Sequence, residues 1–225
     1  ATLTLEPNQN TGSQIVLNGI LSQSGNASLA DFTPTVAGVY TLTVTLNGLN
    51  VPGTPASIKI VEGPISPTNT NHTDLPGSVA AGTALTFKIF AKDAFKNLIV
   101  DSIPSVQIRS EFAVNTLLVW QGEGLFLGTF NFTVTGPKTL IMEANSQNIT
   151  GSPAVITVTS APLSISDSTV SDINSINNTI AGTAIQLTIQ AKDNSGNNRN
   201  TPDDNPVATL TLEPNQNTGS QIVLN

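Results

Sequence analysis

Residues 1–18, ATLTLEPNQNTGSQIVLN, return letter for letter as residues 208–225, a spacing of 207. Identity over that many positions is beyond chance. It reads as one whole period of a tandem array followed by the opening of the next. Arrays in which each unit meets only its neighbours build length. The repeat therefore points to a fibre or stalk before it points to a catalyst.

A weaker repeat lies inside the first. Ala81-Gly82-Thr83-Ala84 recurs as Ala181-Gly182-Thr183-Ala184, and Ala91-Lys92-Asp93 as Ala191-Lys192-Asp193, both at an offset of 100. Val51-Pro52-Gly53-Thr54-Pro55 parallels Ile149-Thr150-Gly151-Ser152-Pro153 at an offset of 98. Each period thus holds two diverged modules of the size of a two-sheet sandwich. Leu85 to Ile89, Ile185 to Ile189, Tyr40 to Val44 and Ala154 to Val158 alternate apolar with polar, as half-buried strands do. Gly53, Pro55, Gly63-Pro64, Gly136-Pro137 and Gly151 to Pro153 punctuate them. Long helical periodicity is absent, and the Thr-, Ser- and Val-rich composition suits pleated surfaces. The expectation is an antiparallel sandwich.

These blocks, in this order, resemble the filamin-type immunoglobulin-like repeat. Ala181-Gly182 through Asp193 and Gly196-Asn197 match its opening. Ala37-Gly38-Val39-Tyr40-Thr41-Leu42-Thr43-Val44, then Val51 to Pro55 and Ala56 to Val61, match its close. The middle module departs at Lys96-Asn97, where the pattern has Gly-Asn, and at Leu140, where it has Tyr. The resemblance implies an all-β fold of tandem immunoglobulin-like (filamin-type) antiparallel β-sandwiches. It also implies a binding mode, in which a partner peptide adds a strand to an exposed sheet edge, here within 208–213 and 221–225.

Residues 63–161 hold a complete module, 1–62 the later strands of one, and 162–225 the early strands of the next. Half a sandwich exposes sheet edges and an apolar face, so neighbouring material is expected to complete it. Either the polypeptide continues through both ends, which is the favoured reading, or separate subunits donate strands. Both give a linear polymer of copies, because head-to-tail contacts do not close. The strands that mark the seam are Ala1, Thr2, Leu3, Thr4 and Leu5 with Ile15, Val16 and Leu17, and in the second copy Ala208, Leu210, Leu212, Ile222, Val223 and Leu224.

Catalysis has little to work with. The chain has no cysteine and one histidine, His72, placed by its Asn/Thr/Pro-rich surroundings in a solvated loop. No phosphate loop, metalloprotease motif or dinucleotide fingerprint occurs. No enzyme activity, cofactor or catalytic residue is expected. With a net charge of −7 and 8 basic residues, none adjacent, nucleic acid is not an expected partner. No apolar run approaches the roughly 18 residues that cross a bilayer, so no membrane partner is expected either. Asp193-Asn194-Ser195-Gly196-Asn197 with Asp203-Asp204-Asn205 gathers oxygen ligands. The spacing fails the EF-hand pattern, and a self-capped turn competes with calcium.

Glycosylation sequons begin at Asn26, Asn71, Asn131, Asn148 and Asn177, about the number that chance supplies in so Asn- and Thr-rich a chain. Asn71 and Asn177 fall in polar connections, while Asn131 and Asn148 flank strands. Residues 65–73 and 164–179 are linkers or O-glycan carriers. Trp120, near Phe126 and Phe130, is a core residue or an inter-module contact. Phe90 should face away from Phe87 and Ile89, either covering a neighbour or exposed, and Phe95 is equally odd. With only 10% charged residues, solubility rests on hydroxyls, amides and sugars. The expected function is an extracellular or cell-surface structural repeat that builds a fibril, stalk or appendage. The alternative is a filamin-like binding scaffold. A carbohydrate-binding adhesin lacks the aromatic platform it would need.

Overall fold

The computed structural model describes residues 1–7, 11, 13–172, 179–180, 182–201, 204–212 and 222–224. No α-helix occurs among them. In chain order the first strands are β1 (Thr2–Leu5), β2 (Ile15–Asn18), β3 (Ile20–Ser24), β4 (Ala27–Asp31) and β5 (Gly38–Thr43). The small hairpin β6 (Thr45–Leu46) and β7 (Leu49–Asn50) precedes β8 (Ala56–Ile60). One sheet runs β2-β1-β5-β8, and β3 with β4 forms a separate hairpin. Leu3, Leu5 and Tyr40 are its buried cluster. The Tyr40 hydroxyl donates to the Val36 carbonyl at 2.9 Å, the corner contact of immunoglobulin-like sandwiches.

The middle strands are β9 (Asn71–Thr73), β10 (Ser78–Ala80), β11 (Leu85–Phe90), β12 (Val106–Arg109) and β13 (Ala113–Gly122). After them come β14 (Leu125–Phe132), β15 (Gly136–Ala144), β16 (Gln147–Asn148) and β17 (Ala154–Thr159). They make two facing sheets, β10-β17-β15-β12 with β16 on β15, and β13-β14-β11-β9. Every pairing is antiparallel except β10 with β17. Alternation decides the faces: Leu85, Phe87 and Ile89 are buried while Thr86 and Lys88 are exposed. Phe130 packs edge-on against Phe87 (5.6 Å) and Phe132 (5.2 Å), and Trp120 lies 4.8 Å from Phe126. Trp120 is half-buried against this core, so it is a packing residue. Gly128 lies beneath the Phe87 ring, where a Cβ would come within 2.3 Å of it.

The last strands are β18 (Leu163–Ser171), β19 (Thr188–Asp193), β20 (Leu210–Leu212) and β21 (Ile222–Leu224). β18 pairs with β19, and β20 with β21. The two copies of the repeated segment fold alike: Leu3 opposes Leu17 as Leu210 opposes Leu224.

Several expectations need correcting. Residues 164–171 are no linker, since they form most of β18. The Ile185 to Ile189 strand begins only at Thr188, because β19 has a neighbour on one side only among the described residues. His72 is not in a loop: it stands in β9 opposite Ile89, half-buried, with Nε2 3.2 Å from the Gly151 carbonyl oxygen. Leu140 does not replace Tyr40. Gly38 opposes Ile60 and Leu42 opposes Ala56, just as Gly136 opposes Val158 and Leu140 opposes Ala154. Leu140 therefore matches Leu42, and the Tyr40 position is held by Lys138, buried with Nζ 4.4 Å over the Phe112 ring.

Candidate functional site: the joint between modules

Two turns with the spacing Asp-x-x-x-Asn carry densely connected polar groups among the described residues. The first follows β11. Asp93 and Asn97 close a tight reversal in which the Asp93 amide donates to the Asn97 carbonyl and the Lys96 amide to the Asp93 carbonyl. Lys96 takes the left-handed conformation at φ 70°, where the second turn has Gly196 at φ 80°. The lysine thus tolerates a position that glycine occupies without strain, and the asparagine that matters is retained.

Asp93 is 1% exposed, and its carboxylate is saturated by N–H donors. Oδ1 accepts from the Phe95 and Asn97 amides, both at 2.8 Å. Oδ2 accepts from Asn97 Nδ2 at 2.8 Å and from the Gly63 amide at 2.9 Å. Gly63 lies in the linker that follows β8. Asn97 then reaches into the preceding module. Its Nδ2 donates to the Thr35 carbonyl at 2.9 Å, and its Oδ1 accepts from the Ala37 amide at 3.0 Å. A single aspartate and asparagine therefore tie together a turn, the linker and the loop that enters β5.

The second turn, after β19, repeats this contact by contact. Asp193 Oδ1 accepts from the Ser195 and Asn197 amides, and Oδ2 from the Ala161 amide in the linker after β17, all at 2.9 Å. Asn197 Nδ2 donates to the Thr133 carbonyl at 2.7 Å, and Oδ1 accepts from the Thr135 amide at 3.1 Å. Thr133 and Thr135 enter β15 as Thr35 and Ala37 enter β5. Burial would raise both aspartate pKa values, but the Asn side chains and backbone amides outweigh it and hold both carboxyls below the ordinary range.

The two joints differ in their outer ties. At the first, Glu62 Oε1 accepts from the Val100 and Asp101 amides, and Lys59 pairs with Asp101 at 2.6 Å. At the second, Arg199 donates to the Ala161 carbonyl and pairs with Asp204 at 2.9 Å, largely shielded from water. The calcium alternative at Asp193 loses its ligand: both carboxylate oxygens are taken by N–H groups, and no cluster of three His, Cys, Asp or Glu occurs among the described residues. Asp203 lies outside those residues.

The other candidate residues are scattered. Asn26 is exposed in the β3–β4 turn and Asn148 is exposed in β16. Asn71 is not in a polar connection but in β9, half-buried, with Oδ1 accepting from Lys92 Nζ at 3.1 Å. Asn131 is half-buried and accepts from Asn115 Nδ2 at 3.2 Å. Asn177 lies outside the described residues. Thr2 to Leu5 are no free seam: β1 is flanked by β2 and β5, with Leu3 and Leu5 buried. Ile15 and Leu17 are half-buried and Val16 exposed on β2, at the edge of that sheet. The second copy differs, since among the described residues β20 pairs with β21 alone. Phe90 is half-buried and faces away from Phe87, and Phe95 is 62% exposed on the first turn.

No protein-family model matches the chain, and no curated protein does. Solved structures do. An Escherichia coli adhesin, FdeC, matches 79% of the chain at 23% identity and a TM-score of 0.53. InvD of Yersinia pseudotuberculosis matches 88% at 21% identity and 0.53. Invasin, a bacterial integrin-binding protein, matches 99% at 15% identity and 0.50. The chain spans 57%, 66% and 46% of those structures. The fold is immunoglobulin-like. At such identities the likeness is one of fold alone.

Proposed function

We propose that the chain is a segment of an extracellular or cell-surface rod, a fibril, stalk or appendage built of immunoglobulin-like sandwiches held in series. The observation that carries this reading is the same Asp-x-x-x-Asn clamp at both module boundaries. A flexible string needs no such device. Linkers held on both sides by buried charge-assisted hydrogen bonds resist bending. The 207-residue repeat makes the two joints alternate along the array, with residues 162–207 and 1–62 joining into one module. The adhesin and invasin likenesses favour a surface setting. Exposed Asn26 and Asn148 suit N-linked glycans, and the Ser/Thr-rich surface suits O-linked ones. The role is structural, without catalysis.

The binding-scaffold reading draws on the edge of β20 that has no partner strand among the described residues. In the first copy β5 covers that edge, so its natural occupant is the β5 of a following unit rather than a foreign peptide. Small-angle scattering of the 225-residue chain tests the rod. A single elongated shape that loosens in the Asn97→Ala variant is expected, and a flexible ensemble in the unaltered chain would overturn the reading.

A further inference from the structure

We propose that the open edges of β4 and β8 are covered by residues 179–180 and 182–193 of a second copy of the chain, in a register that sets Leu187 against Ala30. The inference rests on the array reading and gives it an address.

The middle sandwich shows what the first strands lack. There β14 lies between β13 and β11, and β17 between β15 and β10. Among the described residues β4 has only β3, and β8 has only β5. The last strands supply the missing kind. Val170 opposes Ile189 and Thr169 opposes Gln190, as His72 opposes Ile89 and Asn71 opposes Phe90. β19 is thus the counterpart of β11 without a counterpart of β14 beside it.

Superposing the registers makes each side's exposed apolar residues intelligible. Ile185 and Ile189 are 44% and 37% exposed, whereas their counterparts Leu85 and Ile89 are 6% and 0%. Leu21 is 66% exposed on β3, and its counterpart Leu118 packs on the middle core. Ile180, 82% exposed, would run parallel beside Val61, as Ala80 runs beside Thr159.

One contact argues for the register itself. Phe87 opposes Gly128, and a Cβ on that glycine would collide with the ring. The matching positions are Leu187 and Ala30. The ring side has become smaller and the glycine side larger by a methyl group, so the two changes compensate at one contact. In this chain Ala30 sits in β4 and Leu187 just before β19, and no described sheet joins those strands, so a meeting between copies gives the compensation a purpose.

The chain has no cysteine, so single cysteines report the pairing cleanly. The 225-residue Leu29→Cys and Thr188→Cys chains, mixed under mild oxidation, should form a disulfide-linked dimer, since Lys88 opposes Leu127 in the middle sandwich. Ile189→Cys, one residue out of register and on the other face, should link to Leu29→Cys at least about tenfold less. No linkage, or the reverse preference, overturns the proposal. Leu187→Phe should weaken the 29–188 linkage about tenfold, and Ala30→Gly in the accepting chain should restore it. Failure to restore overturns the Leu187–Ala30 register. Failure here with a stiff joint in scattering removes the seam and leaves the rod. A flexible joint with linkage intact does the opposite.

Discussion

The middle sandwich and the first group of strands follow the same pattern, yet one buries sixteen apolar side chains in a continuous cluster and the other three. Their pairings β15–β17 and β5–β8 share a register, and both carry a cis X-Pro bond before the last strand. The difference is which strands are present. Without counterparts of β10 and β11, the β3–β4 hairpin has nothing to face, and every residue in it is exposed. A sandwich core forms between two sheets, so removing the middle strand of one sheet empties the other.

Truncation breaks this comparison most sharply. Phe130→Ala should cost the middle sandwich about 4 kcal/mol in urea unfolding. Phe32→Ala, at the matching position, should cost under about 1 kcal/mol in the lone chain, because Phe32 is only half-buried there. A large effect of Phe32→Ala would mean the first strands already own a full core. Asn97→Ala leaves the Thr35 carbonyl and Ala37 amide without this partner, an expected loss of about 3 kcal/mol, read as earlier unfolding of the first strands. Gly128→Ala drives a methyl group into the Phe87 ring and should cost about 2 kcal/mol, relieved by Phe87→Leu, the pairing that Ala30 and Leu187 embody. Phe112→Ala removes the ring beneath the Lys138 ammonium and should cost about 1 kcal/mol, with no effect on the first strands.

Acid sharpens the comparison in another way. Asp93 and Asp193 have folded pKa values below the ordinary one. Their contribution is present above the unfolded value, near about 4, and is lost as pH falls through the lowered folded value. Scattering profiles should hold constant from neutral pH down to about 4 and show joint loosening below it. In Asp93→Asn that acid response should weaken.

Much of the fold was legible. Alternation at Leu85 to Ile89 and Ala154 to Val158 announced strands that exist. The repeated Ala-Lys-Asp and Asn97/Asn197 were visible as a turn, but their reach into the preceding module was not. Thr35, Ala37, Thr133 and Thr135 contribute backbone groups to the joint, and a backbone amide has no signature in the residue type above it. Charge spacing hid Lys138 as well, since a lysine over a phenylalanine reads as a surface residue until the strand register is known. His72 and Asn71 sit among polar letters, and only the pairing with β11 makes them a strand.

What the sequence determined by itself is the pattern: an 18-residue identity at a spacing of 207, a weaker repeat at offsets of 98 and 100, and alternating strands. Those properties are local or periodic, and periodicity survives without coordinates. Only the tertiary structure decided which aspartate oxygens meet which amides across a linker, and that Phe87 requires a glycine opposite it. Such contacts join residues far apart in the chain, so their partners are set by register and sheet facing rather than by the letters at either end.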